Sequence, residues 1–218
     1  MKKIPIIVFL FTLLFPFFSW SFDFRYLRTA EGLYNGEINA IAQDHSGKMW
    51  FATWTGLANY NGFDFTFFRP ELGNLKSLPD KKTHRILIDA ENNLWVASLS
   101  GVSVYDSNSD TFYPVELDGV NPNDYYVNNM YESKGIVLIH TSKGIFLVDY
   151  KNKVYSGLKA KRIYLFENNR KVDDYVHYMN VFEDKIFLVS NKDIYNPDRI
   201  LIGEIRFASS DTVINILN

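Results

Sequence analysis

The chain has 218 residues, a formal net charge of −2 at pH 7 and no cysteine. A nucleic-acid binder needs a concentrated basic surface, and this near-neutral sequence has no long run of Lys or Arg, which argues against that class of function. Without cysteine the fold cannot rely on disulfides and must depend on its hydrophobic core. The 18 Phe and 14 Tyr residues favour an all-β class.

The first 21 residues have the pattern of an export signal. Lys2 and Lys3 precede an uncharged apolar stretch from Ile4 to Phe18, and small residues then stand at the positions that signal peptidase inspects. An uncleaved membrane anchor is the alternative, but the stretch is shorter than the roughly 20 residues that span a bilayer. We therefore predict a signal peptide at residues 1–21, a periplasmic location and no further membrane segment.

A repeat begins after this signal. Between residues 37 and 113 the same pattern occurs twice at a spacing of 45 residues, and fainter copies follow at spacings of 43 and 49. A period of this length, with four short apolar runs per copy, is typical of a β-propeller blade. We predict a partial β-propeller over residues 22–218 with about four blades, each a four-stranded antiparallel sheet. The blade repeats are expected at about 37–68, 82–115, 127–157 and 176–207.

Within each repeat, a carboxylate and an aromatic residue occupy fixed positions. Asp44, Asp89 and Glu132 each precede a turn, where a carboxylate can accept backbone N–H groups. A catalytic role is the alternative, but one acid per repeat indicates a structural role. Trp50 and Trp95 lie in the second strand of their repeats, and we expect them to pack between blades rather than to stack on sugars. In the outer strand, Phe67 aligns with Phe112 and then with Tyr155.

Candidate ligand-binding residues lie where the repeats differ. Trp54 has no aromatic counterpart in the other repeats and stands beside a turn, as a residue that function adds to a scaffold would. The links between repeats vary most, and Arg69, Lys82, Tyr125 and Tyr126 lie in or near them. We predict that these five residues contact a sugar or another polar ligand, with ordinary surface loops as the alternative.

Catalytic patterns are missing from the sequence. Its four histidines stand far apart without metal-ligand spacing, and it contains no phosphate-binding glycine loop, G-x-S-x-G or H-E-x-x-H motif. We therefore predict no metal, no cofactor and no enzymatic activity, although residues distant in sequence could still converge in space.

The repeat resembles the two-component regulator propeller family. The resemblance rests on Glu31–Leu33, Asn39–Asp44, Gly47–Thr53 and Gly56–Tyr60, and it recurs at Leu94–Ser98 and Gly101–Asp106. It is strong over residues 24–115 and weak beyond them. The resemblance implies the exported sensor part of a hybrid two-component system of the Bacteroidetes type, whose propellers recognise breakdown products of complex glycans. The kinase and DNA-binding parts of such systems have no counterpart in this sequence.

These observations lead to three hypotheses. The first is an exported, ligand-sensing propeller region of a longer receptor, whose partners are a small glycan and either the remaining blades or a second protomer. The second is a stand-alone or degenerate secreted scaffold for protein–protein interaction. The third is a secreted propeller lyase or glycosidase. The ligand, the oligomeric state and the ability of the chain to fold alone stay open at this point.

Overall fold

The computed structural model describes residue 26 and residues 37–133, 135–150, 155–168, 170–172, 175–182, 185–191, 199–207 and 212–217. Within these residues the chain forms seventeen strands and one short 3-10 helix, Pro122–Asp124. The predicted signal peptide at residues 1–21 lies outside the described residues. No helix in the described part is long and apolar enough to cross a membrane.

The first two repeats each form a four-stranded antiparallel sheet. In both sheets the strands pair in chain order. The first sheet consists of β1 (Ile38–Gln43), β2 (Met49–Thr53), β3 (Gly56–Tyr60) and β4 (Phe65–Phe68). The second consists of β5 (Thr83–Ile88), β6 (Leu94–Ser98), β7 (Gly101–Asp106) and β8 (Thr111–Leu117).

Two further groups of four strands follow, again antiparallel and in chain order. The third contains β9 (Val127–Ser133), β10 (Ile136–Thr141), β11 (Gly144–Asp149) and β12 (Lys159–Glu167). A short strand, β13 (Arg170–Val172), pairs with the end of β12. The fourth contains β14 (Tyr175–Phe182), β15 (Lys185–Asn191), β16 (Arg199–Phe207) and β17 (Thr212–Leu217).

The four sheets are arranged side by side around their first strands. The first strand of each sheet contacts the first strand of the next, so β1, β5, β9 and β14 follow one another in space. At the outer side, β12 runs parallel to the end of β8 over two residue pairs and to β17 over three. This arrangement of four-stranded sheets confirms the predicted all-β, partial β-propeller fold.

The outer strand of the second sheet differs in register from the repeat alignment, which paired Phe67 with Phe112. In the structure Phe65 pairs with Tyr60 and Phe112 pairs with Tyr105, so Phe112 corresponds to Phe65. The chain takes five residues from Tyr60 to Phe65 but seven from Tyr105 to Phe112, and the longer hairpin shifts the strand by two. A shift of two residues leaves each side chain on the same face, because side chains alternate along a strand.

The outer strand of the third sheet also begins later than the alignment indicated. Tyr155, the residue aligned with Phe112, lies in a bend and not in a strand. The strand that pairs with β11 is β12, in which Ile163 pairs with Ile145. Residues 150–158 separate β11 from β12, whereas residues 107–110 separate β7 from β8. The strand therefore lies beyond the predicted repeat at 127–157, and β17 likewise lies beyond 176–207.

The hydrophobic core consists of layers between successive sheets. Trp50 of the first sheet is buried against Leu94, Val96 and Phe112 of the second. Trp95 of the second sheet is fully buried in a cluster that it shares with residues of the third sheet. The prediction that Trp50 and Trp95 pack between blades is thus confirmed, and a third cluster joins the third and fourth sheets.

Candidate functional site

The antiparallel strand order gives the structure two faces. The turns between β2 and β3, β6 and β7, and β10 and β11 lie at one end of the sheets, together with the links that lead from one sheet to the next. We call this end the link face. The turns between β1 and β2, β3 and β4, β5 and β6, and β7 and β8 lie at the opposite end, which we call the turn face.

The predicted ligand-binding residues all lie on the link face. Trp54 is half-buried in the turn between β2 and β3. Arg69 follows β4 directly, and its guanidinium lies 5.9 Å from the ring centre of Phe67. Lys82 is exposed just before β5, where its carbonyl oxygen accepts the backbone N–H of Leu99 at 3.2 Å.

Tyr126 presents an aromatic ring on this face. Its side chain is 40% exposed, and its ring stacks on that of His84 with the centroids 4.3 Å apart and the planes 14° from parallel. Two hydrogen bonds with Ser142 hold its backbone, one from Ser142 N to Tyr126 O at 2.9 Å and one from Tyr126 N to Ser142 Oγ at 3.1 Å. The ring is therefore fixed in position while part of it stays open to solvent.

Tyr125, by contrast, belongs to the core. It is 7% exposed and lies in the cluster between the second and third sheets. Burial raises the pKa of Tyr125 to about 12, opposed by a hydrogen bond from the backbone of Val102. Its hydroxyl lies so close to Gly101 that a Cβ there would be 2.8 Å from the oxygen. We interpret Tyr125 as a packing residue, and only its neighbour Tyr126 offers a surface to a ligand.

Histidine side chains join successive sheets near the link face, a role that the sequence analysis missed. Asn39 Nδ2 donates to Thr83 O at 2.9 Å, and the residue 45 positions later, His84, places Nε2 3.0 Å from Val127 O. Because a carbonyl oxygen only accepts, Nε2 of His84 carries the proton. Burial lowers the pKa of His84 below its usual range, which keeps the ring neutral. Asn39 and His84 occupy the same position in the first two repeats, and a comparison of these two polar residues would have indicated the repeated link.

The third sheet makes the same kind of link from a different strand. His140 on β10 places Nε2 2.9 Å from Val176 O, at the start of the fourth sheet. Burial also lowers the pKa of His140. Two buried, neutral imidazoles thus connect three of the four sheets.

On the turn face, the repeated carboxylates hold their turns as predicted. Asp44 Oδ1 accepts the backbone N–H groups of Ser46 and Lys48 at 2.9 and 3.0 Å. Asp89 Oδ1 does the same for Glu91 and Asn93 at 3.0 and 2.8 Å. Glu132 accepts the backbone N–H of the glycine three residues later at 2.9 Å. This confirms the structural role of the three acids.

A cavity of about 460 Å³ opens on the turn face between the first and second sheets. The side chains that line it include aromatic, amide, hydroxyl and acidic groups, among them Trp50, Asn59, Thr66, Tyr105 and Asp110. None of the five predicted ligand-binding residues lines it. In the described part of the chain, no group of three or more His, Asp or Glu residues is placed to hold a metal ion.

The fold and the repeated turn chemistry define a β-propeller. The predicted family resemblance is confirmed, because the model of the two component regulator propeller family matches residues 33–55. No curated protein is similar enough in sequence to count as a match.

Solved structures share the fold. The extracellular domain of a hybrid two component system from B. thetaiotaomicron matches with a TM-score of 0.60 at 18% identity, over 84% of this chain and 26% of that one. A second such domain from B. thetaiotaomicron matches with a TM-score of 0.55 at 15% identity, over 85% of this chain and 30% of that one. PorZ, a surface component of the type-IX secretion system of Porphyromonas gingivalis, gives 0.56 at 12% identity, over 81% and 28%. The chain thus spans less than a third of the length of these proteins.

Proposed function

We propose that the chain is the exported, ligand-sensing propeller region of a hybrid two-component signalling receptor, and that it recognises glycan breakdown products. The observation that carries this proposal is the fold match to the extracellular domains of two such systems over 84% and 85% of the chain, together with the family repeat at residues 33–55. Export through the signal at residues 1–21 to the periplasm is part of the same proposal.

The link face offers groups that suit a glycan. Tyr126 has one side of its ring against His84 and is 40% exposed, so its other side can stack on a sugar ring. Trp54 adds a second, half-buried indole, and Arg69 and Lys82 add exposed cations. Aromatic surfaces with a few polar groups around them are typical of binding sites for polar organic ligands.

Isothermal titration of the complete chain with a panel of plant and host oligosaccharides tests this function. We expect at least one oligosaccharide to bind and the affinity to fall about tenfold or more in Tyr126→Ala and Trp54→Ala, since each change removes a stacking surface. Phe63→Ala is the matched control, because Phe63 is 85% exposed but lies on the turn face. The function is wrong if no oligosaccharide binds, and the link-face site is wrong if Phe63→Ala weakens binding as much as the other two changes.

The first sheet has an apolar face that points away from the second sheet. Ile41 pairs with Phe51, Phe51 with Ala58 and Ala58 with Phe67, so their side chains form one row across this face. Among the described residues, the cluster on this face contains only members of the first sheet. Ile41 is 55% exposed. A row of this kind is a typical contact surface, and we propose that a further blade of the same receptor covers it.

Analytical ultracentrifugation of the chain by itself tests the proposed blade contact. We expect the chain to self-associate through this face when no further blade is present, and Ile41→Lys to shift it to monomer. Leu75→Lys is the control, because Leu75 is 96% exposed on a link. A chain that is monomeric without any substitution contradicts the proposal, and so does self-association that Ile41→Lys leaves unchanged.

A further inference from the structure

We call the space between the first and second sheets the first gap, and the space between the second and third sheets the second gap. The two gaps differ in one row of residues. On the face of the first sheet toward the second, Trp50 pairs with Asn59, and Asn59 pairs with Thr66. The corresponding row of the second sheet is Trp95, Val104 and Tyr113, in the same pairings. An apolar and a large aromatic side chain are thus replaced by two smaller polar ones in the first sheet.

The larger residues fill the second gap. Tyr113 stacks on Tyr155 with the centroids 6.1 Å apart, and Tyr150 packs edge-on against Trp95 at 5.8 Å. Val104 is completely buried. In the first gap, Asn59 and Thr66 instead line the cavity of about 460 Å³, a size within the roughly 300–1,000 Å³ of small-molecule sites.

Asn59 carries a polar group that the protein leaves without a partner. Its side chain is 7% exposed, and its Nδ2 atom has no hydrogen-bond partner among the described residues. A buried amide without a partner costs about 1–3 kcal/mol, so a residue of this type in a core position needs a reason. Asn59 also lines the cavity, and once its amide turns toward that space a ligand oxygen would accept the hydrogen bond that Nδ2 can donate.

The other cavity groups limit the chemistry of that ligand. Trp50 and Phe68 each meet the ring of Tyr105 edge-on, at 5.5 and 5.2 Å, and form an aromatic wall. Asp44 and Asp110 add two carboxylates and Lys48 adds one ammonium group, a net negative lining that disfavours an anion, and the carboxylates can accept hydrogen bonds from hydroxyl groups. A hydroxyl group both accepts, as Asn59 requires, and donates, as the carboxylates require.

We propose that this cavity is a second ligand site, on the turn face, which binds a neutral polyhydroxylated ring of the size of a monosaccharide unit. The identity of the ligand as a sugar rests on the proposed glycan-sensing function, whereas the site itself rests on Asn59 and the cavity. The ring would place its apolar side on the aromatic wall and its hydroxyl groups toward Asn59, Asp44 and Asp110.

Titration of the complete chain with D-glucose, D-galactose, D-mannose and D-xylose, followed by saturation-transfer NMR and calorimetry, tests the proposal. We expect at least one of them to bind, Asn59→Val to weaken its affinity about tenfold, and D-glucuronate not to bind. The double variant N59V/T66Y rebuilds the row of the second sheet. It should abolish binding while raising the unfolding temperature, because it fills the cavity and removes the unpaired amide.

Controls on the other face separate this proposal from the proposed function. Tyr126→Ala should weaken oligosaccharide binding at the link face and leave monosaccharide binding in the cavity unchanged. The cavity proposal is overturned if no monosaccharide binds, or if Asn59→Val binds as the unaltered chain does. Monosaccharide binding that is lost only in Tyr126→Ala also overturns it and leaves the proposed function standing. The opposite result, cavity binding without oligosaccharide binding, overturns the link-face function alone.

Discussion

The indole N–H of Trp95 donates to Oδ2 of Asp89 at 2.8 Å, and this bond joins a turn on the turn face to the core between the second and third sheets. Trp50 and Asp44 form the same bond at 3.0 Å in the first sheet. The third sheet has no tryptophan at this position, and the hydroxyl of Tyr150 donates to Glu132 instead, at 3.2 Å. In each of the first three sheets one carboxylate therefore satisfies both its turn and a buried aromatic donor.

We expect Trp95→Ala to destabilise the chain by about 3–5 kcal/mol, because it removes a fully buried ring and leaves Asp89 without one of its donors. Trp54→Ala should cost about 1 kcal/mol or less, since Trp54 is half-buried in a turn. Urea unfolding followed by circular dichroism measures both changes. Equal losses for the two variants would contradict the division between a packing and a surface tryptophan.

The Asp44 turn should be sensitive to acid. Burial raises the pKa of Asp44, but hydrogen bonds from Ser46, Trp50 and Lys48 together outweigh it and lower the pKa below the usual value. A carboxyl group whose pKa is lower in the folded state stabilises the fold above a pH of about 4, and this contribution is lost as the pH falls further. We expect Asp44→Asn to be less stable than the unaltered chain at neutral pH.

Urea midpoints at several pH values measure this effect. The difference between Asp44→Asn and the unaltered chain should shrink progressively below a pH of about 4, where the native carboxylate itself becomes protonated. A difference that stays constant across this range would show that the loss comes from the altered hydrogen bonds of Asn and not from the charge of Asp44.

The first residue of β7, Gly101, should tolerate a side chain poorly. Gly101 has φ +103°, and a Cβ there would lie 2.8 Å from the Tyr125 hydroxyl. We expect Gly101→Ala to cost more than Gly62→Ala, whose φ of +98° is similarly strained but whose Cβ would meet nothing within 4 Å. The backbone strain alone is worth about 1–2 kcal/mol in both variants, and the clash with Tyr125 adds to it only at Gly101. Thermal unfolding of the two variants gives the difference, and equal losses would contradict the close contact.

The sequence predicts the inner three strands of the first two sheets well because their spacing of 45 residues contains no insertion. The outer strands were misaligned because the hairpins that precede them differ in length. The alternation of the side chains survives a shift of two residues, so the aligned Phe67 and Phe112 still looked equivalent. Strand existence could therefore be predicted from periodicity, whereas register depended on turns that the pattern did not resolve.

The candidate sites, too, could be predicted from the sequence only in part. The unrepeated Trp54 and the exposed Tyr126 could be selected from the sequence, but Tyr125 is buried in the cluster between the second and third sheets, which no local pattern indicates. The cavity was missed for another reason. It results from the small size of Asn59 and Thr66 relative to the residues at the same place in the second sheet, and the comparison requires the true register of β8. A search for polar residues at otherwise apolar repeat positions would have found Asn59, which aligns with Val104, but not Thr66.

The two buried histidines should make the stability of the fold depend on pH. Burial lowers the pKa values of His84 and His140, so the unfolded chain binds protons more readily than the folded chain. Stability is therefore full above the unfolded pKa of about 6.5 and falls as the pH drops below it. We expect His84→Asn to reduce this dependence between pH values of about 7 and 5. The variant should stay folded at neutral pH, because an asparagine can make this kind of link, as Asn39 does at the equivalent position of the first sheet.

Chemical unfolding of the unaltered chain, His84→Asn and the double variant H84N/H140N at several pH values measures this effect. The slope of the unfolding free energy against pH should decrease in that order, since each substitution removes one group that must be charged on unfolding in acid. An unchanged slope in the double variant would mean that the imidazoles are protonated in the folded protein. Their carbonyl bonds to Val127 and Val176 would then come from charged rings, and the neutral links between sheets described above would be wrong.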